Sequence, residues 1–500
     1  MLFTSFEFIL AFLPVVFAGF FLLARFLGRE AAAMWLAAAS IFFYGWWSTT
    51  YIPLLLGSIV FNYTIGYVIS KYREAQSSIA RGALILGVLG NLALLCYYKY
   101  SNFFLGEIAR ALGADAPALH IILPLGISFF SFTQIAFLVD AWRGQAREYS
   151  FWHYLLFVTW FPHLIAGPIL HHGQMMPQFR DPEVYRIRSR NLAIGIALFA
   201  VGLGKKLMIA DPISMYANPV FHAASVGQEI GFIAAWVGAL AYTIQIYFDF
   251  SGYSDMAVGL SMLFGIKLPI NFNSPYQARN ISEFWRRWHM TLSQFLRDYL
   301  YIPLGGNRNG ETRRMINLML TMILGGLWHG ANWTFVMWGA LHGFYLCINH
   351  LFQKLTEKLN LKGRLPEFIT APASVLLTFL VVVIAWVFFR ADSMPAAQVV
   401  LGGMAGFQMD KDWVSIFKGL SAISFGMYLL VSMIIIWAFP NIYEVLDLLL
   451  DKLKIQSAEG YRVASAVCVS AGILCAALIG VSMVSTFGTN NISPFLYFQF

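Results

Sequence analysis

Apolar residues run in long blocks separated by short polar and basic stretches for most of the chain. A helix needs about 20 mainly apolar residues to cross the hydrocarbon core of a bilayer. That rule predicts spans at 2–24, 31–48, 52–70, 82–98, 120–139, 191–210, 230–248, 250–266, 315–328 with 330–350, 368–389, 420–439 and 463–485. The first block lacks a basic start and a small-residue cleavage site, so it reads as a span rather than a removable leader.

Two stretches break the rhythm. Residues 151–170 are apolar, yet basic residues flank them on both sides: Arg143 and Arg147 before, Arg180, Arg186, Arg188 and Arg190 after. Basic loops favour the cytoplasm, so this stretch is expected to dip into the membrane and return. Pro162, Gly167 and Pro168 suit a broken backbone, which membranes tolerate only under protein cover. From Ser282 the pattern predicts an amphipathic helix capped by Ser282. Trp285, Trp288, His289, Leu292, Phe295, Leu296 and Tyr299 share one face, and Arg287, Gln294, Arg297 and Asp298 lie largely opposite. Such a helix fits the cytoplasmic interface.

Composition agrees with a membrane protein. Apolar residues fill 59% of the 500 positions and charged residues 12%, against about 45–50% and roughly 25% in soluble domains. The net charge of +8 does not imply nucleic acid, because the positive residues sit in loops between apolar blocks. Arg25 and Arg29, then Lys71, Arg73 and Arg81, then Arg143 and Arg147 occupy alternate loops, which predicts an outside N-terminus. Cys96, Cys347, Cys468 and Cys475 lie in apolar blocks without paired spacing. They are expected to be packed thiols, neither disulfides nor zinc ligands. No repeat or linker divides the chain, so 1–500 is taken as one all-α membrane domain.

Candidate chemistry concentrates on histidines. His329 lies in Gly325-Gly-Leu-Trp-His329-Gly-Ala-Asn-Trp333, inside an apolar block. An ionisable group at such depth is a functional candidate, and a neutral imidazole can take a proton from a hydroxyl. A core histidine bonded to a neighbouring helix fits the same pattern. The same two readings apply to His289, and His342 can be a packing residue. His163, His171 and His172 cluster, but without metal-ligand spacing; no metal site is expected. Asp249 and Asp255, with Ser251 and Tyr253 between them, either pair with the basic middle region or orient a histidine or substrate. Arg286, Arg287 and Arg297 can hold lipid headgroups or an anionic donor.

The run Glu283-Phe-Trp-Arg-Arg-Trp-His289, continuing through Leu296-Arg-Asp-Tyr-Leu-Tyr-Ile-Pro-Leu-Gly-Gly-Asn-Arg308, resembles the membrane-bound O-acyltransferase family. So do Gly326-Leu-Trp-His329-Gly-Ala-Asn-Trp333 and Trp338-Gly-Ala-Leu-His342-Gly343. Phe161-Pro-His-Leu-Ile-Ala-Gly-Pro168, Phe248-Asp-Phe-Ser-Gly-Tyr-Ser-Asp255 and Tyr497-Phe-Gln-Phe500 resemble its bacterial alginate O-acetyltransferase branch.

The resemblance implies about a dozen transmembrane helices, with re-entrant and interfacial helices, around a central tunnel in the bacterial inner membrane. His329 would be the catalytic base and His289 the second histidine. Trp285, Arg286, Arg287, Trp288, Asn332, Trp333, Asp249 and Tyr253 would contact donor or acceptor. The donor would be acetyl-coenzyme A used as a substrate, with no bound cofactor. Periplasmic acetyltransferases would be partners and an alginate-like polysaccharide the acceptor. An indole N–H of Trp328 or Trp333, Asn332 or a backbone N–H could steady the oxyanion. D-alanyl transfer to an envelope polymer, or a transporter or scaffold without covalent chemistry, are the alternatives.

Overall fold

The computed structural model describes residues 1–115, 119–146, 150–360, 366–407, 416, 417, 419–452 and six scattered positions beyond 469. The expected span at 463–485, Cys468, Cys475, Arg147 and the Tyr497–Phe500 motif therefore lie outside the described residues, apart from isolated backbone positions. The described chain is helical and contains no strand.

Seven of its helices are long and apolar enough to cross a membrane: Glu7–Phe26, Thr49–Tyr72, Ser77–Leu112, Ser189–Ser225, Phe232–Leu263, Trp333–Lys358 and Glu367–Arg390. A bent pair, Ala422–Ala438 with Ile442–Leu448, would make an eighth. The chain is a multi-pass membrane protein. Residues group into two compact units: Met1–Leu203 with Tyr253–Ile270 and Val445–Gln499, and Gly204–Gly252 with Asn271–Glu444 and Phe500.

In the first unit, polar side chains fasten apolar helices together. Asn62 and Asn91 are buried and exchange amide hydrogen bonds, at 2.7 and 3.3 Å, between Ile52–Tyr72 and Ser77–Leu95. Gln134 donates to Ser58 at 2.9 Å. In a bilayer such bonds hold helices whose apolar surfaces gain little by leaving lipid. Phe151–Thr159 has nine residues, about 14 Å of helix, too short to cross. The chain then runs on in turns, and every residue from Tyr154 to Leu170 is buried.

In the second unit, Glu311–His329 turns at Gly330 and runs back as Trp333–Lys358. Small residues set how closely the two helices pack. A Cβ on Gly326 would collide with the Phe335 carbonyl, and one on Gly339 with the Met322 carbonyl. Helices approach this closely only where glycine or another small residue lines the seam.

Three expectations fail here. The spans at 230–248 and 250–266 are one unbroken helix, Phe232–Leu263, of 32 residues. Asp249 falls between those two spans and is expected to pair with the basic middle region or to orient a histidine or substrate. It is instead paired inside the fold: Lys206 Nζ lies 2.6 Å from Asp249 and 2.8 Å from Asp211. The helix from Ser282 is also not continuous. It divides into Ile281–Arg287, Met290–Leu296 and a wider turn at Arg297–Tyr301. Its cap is Asn280, which accepts from the Glu283 N–H at 3.0 Å, while Ser282 accepts from Asn349. Cys96 is exposed and Cys347 half-buried. Their apolar blocks turn one side outward, so neither is a fully packed core thiol.

Candidate active site

The break in the interfacial helix falls at His289, whose φ of 43° is left-handed. Such a backbone is unfavourable for a residue with a Cβ. Neighbouring segments hold it in place. Residues Asn271–Asn273 lie across the gap: Met290 N donates to Asn271 O at 3.0 Å and Asn273 N to Arg287 O at 2.9 Å. Asn271 Oδ1 also accepts from Thr291 N at 3.2 Å and Thr291 Oγ1 at 2.7 Å. The backbone groups freed by the break are thus used again, as buried polar groups require.

This turn brings His289 to the end of Glu311–His329. The rings of His289 and His329 have centroids 6.4 Å apart. Both are buried, at 0% and 3% exposure. Burial pushes the His289 imidazole down to about 3, so it is neutral at physiological pH. Phe250 packs edge-on to His289 at 4.8 Å. Around His329 stand Trp328 at 4.8 Å, Trp338 at 5.1 Å and Phe389 at 5.1 Å.

The rings continue along the Trp333–Lys358 helix. Trp338 and His342 are four residues apart and so share a face; their centroids are 4.8 Å apart. Trp285 donates its indole N–H to His342 Nδ1 at 3.3 Å. Trp288 is buried between Phe284, 5.6 Å away and nearly parallel, and Trp386 at 4.9 Å. The result is two buried histidines in an aromatic wall, with a third at its end. An imidazole in such a buried site can accept a proton when neutral and release one when charged.

The other residues read from the sequence spread out. Arg286 is exposed. Arg287 is tied to Glu283 at 2.8 Å and to the Asn273 carbonyl at 3.3 Å. Asn332 caps the next helix by accepting from Thr334 N at 3.1 Å and donates to the Asp392 carbonyl at 2.9 Å. Trp333 is 50% exposed. Asp249 is held by Lys206, one residue before Phe250. Tyr253 belongs to the first unit, packed against Phe3 and Phe495, each at 4.9 Å. Among the described residues no group of three or more His, Cys, Asp or Glu could hold a metal.

Sequence reasoning missed Lys206, Phe250, Trp386 and Phe389 as neighbours of these groups. Lys206 had a signal: a cation inside an apolar block needs an acidic partner. The aromatic residues had none, since phenylalanine and tryptophan occur throughout this chain.

Residues 55–390 match the membrane-bound O-acyltransferase family, MBOAT. The chain belongs to that family. The match contains both histidines and every residue of the aromatic wall, and the chain is accordingly an acyltransferase. Among its MBOAT relatives is the peptidoglycan O-acetyltransferase of Helicobacter pylori, 45% identical over 81% of this chain and 80% of that one. Another is the "probable alginate O-acetylase AlgI" of Pseudomonas aeruginosa, 42% identical over 81% of this chain and 75% of that one. More distant is the teichoic acid D-alanyltransferase of Bacillus subtilis, 29% identical over 59% of this chain and 73% of that one.

Proposed function

We propose that the chain takes an acetyl group from cytoplasmic acetyl-coenzyme A and delivers it through a tunnel to hydroxyls of a polysaccharide outside the inner membrane. The approach of two buried histidines, 6.4 Å apart, carries this reading. Coenzyme A is polyanionic and does not cross hydrocarbon unaided, whereas acetyl is small and neutral. A donor that stays on one side and an acceptor on the other can meet only at a buried base.

His329 accepts the proton of the acceptor hydroxyl as its oxygen bonds to the thioester carbonyl carbon. The carbon–sulfur bond then breaks, the ester is formed, and the proton ends on the departing sulfur as a free thiol. His289 orients the donor or shares the proton transfer. The exposed Arg286 suits the anionic end of coenzyme A. Arg287, Trp288, Asn332, Trp333 and Asp249 act by shaping the surroundings of these groups. The N-terminus faces outward, and periplasmic acetyltransferases carry the acetyl group onward.

The relatives support O-acetylation of an envelope glycan. An alginate-like exopolysaccharide is the favoured acceptor. The 45% identity to a peptidoglycan O-acetyltransferase supports peptidoglycan as the second reading. The test is reconstitution in vesicles oriented with the donor side outward. External radiolabelled acetyl-coenzyme A should release thiol and, with a periplasmic acetyltransferase enclosed beside it, acetylate enclosed glycan. Reaction only with an acyl group on a phosphopantetheinyl carrier protein would instead assign the chain to the D-alanyl type of chemistry. Movement of solute without thiol release would make it a transporter.

A further inference from the structure

Two buried N–H groups stand one helical turn apart, the first in a ring beside His329, and are not used by the proton transfer. Trp338 is 1% exposed and His342 is 0% exposed. The Trp285 indole can only donate, so His342 Nδ1, 3.3 Å away, accepts. A neutral imidazole carries one proton, so His342 Nε2 holds it. That Nε2 and the Trp338 Nε1 have no hydrogen-bond partner among the described residues. Buried donors are rarely left without an acceptor, and these two belong to adjoining rings.

The geometry points to Trp338 Nε1–H and His342 Nε2–H as paired donors that bind carbonyl oxygens of the acyl donor's arm. This inference rests on the acetyl-coenzyme A reading above and deepens it. The thiol-bearing arm of coenzyme A is slim and uncharged, and its amides present carbonyl acceptors along its length. An aromatic wall with two N–H groups one turn apart suits such an arm: rings pack the methylenes and N–H groups meet the carbonyls. Trp285 then has a positioning role. By donating to Nδ1 it keeps the His342 proton on Nε2, facing the ligand rather than the wall.

The bonds form in the bound ground state, so their loss should weaken donor binding more than it slows chemistry. Thiol release from acetyl-coenzyme A is measured for Trp338→Phe, His342→Phe and His342→Gln. Binding of acetyl-coenzyme A to His329→Ala, with and without Trp338→Phe, gives the affinity directly. Each phenylalanine variant keeps a ring in the wall and removes the N–H. Expected is a rise in KM of about tenfold for each, with kcat changed less than about twofold, and substantial recovery in His342→Gln, which keeps a donor. Trp338→Phe should weaken binding in the His329→Ala background by a similar factor. Unchanged KM and affinity in both phenylalanine variants, while His329→Ala remains inactive, would overturn the inference alone. A fall in kcat at unchanged KM would overturn it too, by placing the N–H groups on the transition state. If His329→Ala matches the parent protein, the underlying reading fails first.

Discussion

At the residue scale, the most unusual backbone belongs to His289. Its left-handed conformation costs about 1–2 kcal/mol relative to an ordinary one, and it is what turns the imidazole toward His329. Comparing two truncations isolates the backbone, because both remove the ring. In a regular helix alanine is more stable than glycine; at a positive φ the order reverses. His289→Gly should therefore be more stable than His289→Ala by about 1 kcal/mol, and unfold at the higher temperature when both are measured in detergent. The opposite order would mean that the turn is not held as described. The Lys206–Asp249 pair makes a second prediction. Both side chains are 2% exposed, and removing one partner leaves the other charged and buried. Lys206→Met should lower stability by about 3–5 kcal/mol. Lys206→Met with Asp249→Leu and Asp211→Asn should recover much of that loss, since no unpaired carboxylate then remains.

At the element scale, the hairpin of Glu311–His329 and Trp333–Lys358 governs the site, because it carries His329, Trp338 and His342 together. Gly326 and Gly339 let its helices touch through their backbones. Gly339→Leu should force them apart, costing about 1–3 kcal/mol of stability and slowing the reaction by displacing Trp338 from His329. A melting curve and a thiol-release assay on the same preparation would check both. Much of this hairpin was legible in the sequence. The apolar blocks located both helices, and the glycines beside His329 announced a break or close approach. The division at His289 was not legible, because the apolar face continues in phase across it. Tertiary contacts from Asn271 and Asn273 stabilise the break, and a helical pattern does not reveal contacts from outside the helix. Phe232–Leu263 shows the reverse error. Asp249 looked like the end of a span until Lys206, 43 residues earlier, neutralised it within the fold.

At the scale of the whole molecule, the apolar helices make the chain a multi-pass membrane protein, and the basic loops are the basis of the orientation proposed for it. Membrane residence followed from composition, since too little polar surface exists to coat a soluble globule, and the helical class from the length of the apolar blocks. Orientation is testable by single-cysteine labelling in intact cells with an impermeant reagent, in a cysteine-free background. Cysteines placed beside Arg29, Lys71 and Arg143 should stay unlabelled until the inner membrane is opened. Labelling of these positions from outside would invert the proposed direction of transfer. That direction matters chemically, because it decides which face of the site meets the charged donor and which meets the glycan.

The most direct measurement is a single-turnover assay of acetyl-coenzyme A with purified, stably inserted protein, the parent chain against His329→Ala. Loss of a general base typically slows such a step about 10²–10⁴-fold. The account predicts a fall in thiol release and acetyl transfer of at least that order, with inserted amount and melting temperature unchanged. A His329→Ala protein that still cleaves the thioester and acetylates its acceptor at the parent rate would contradict it.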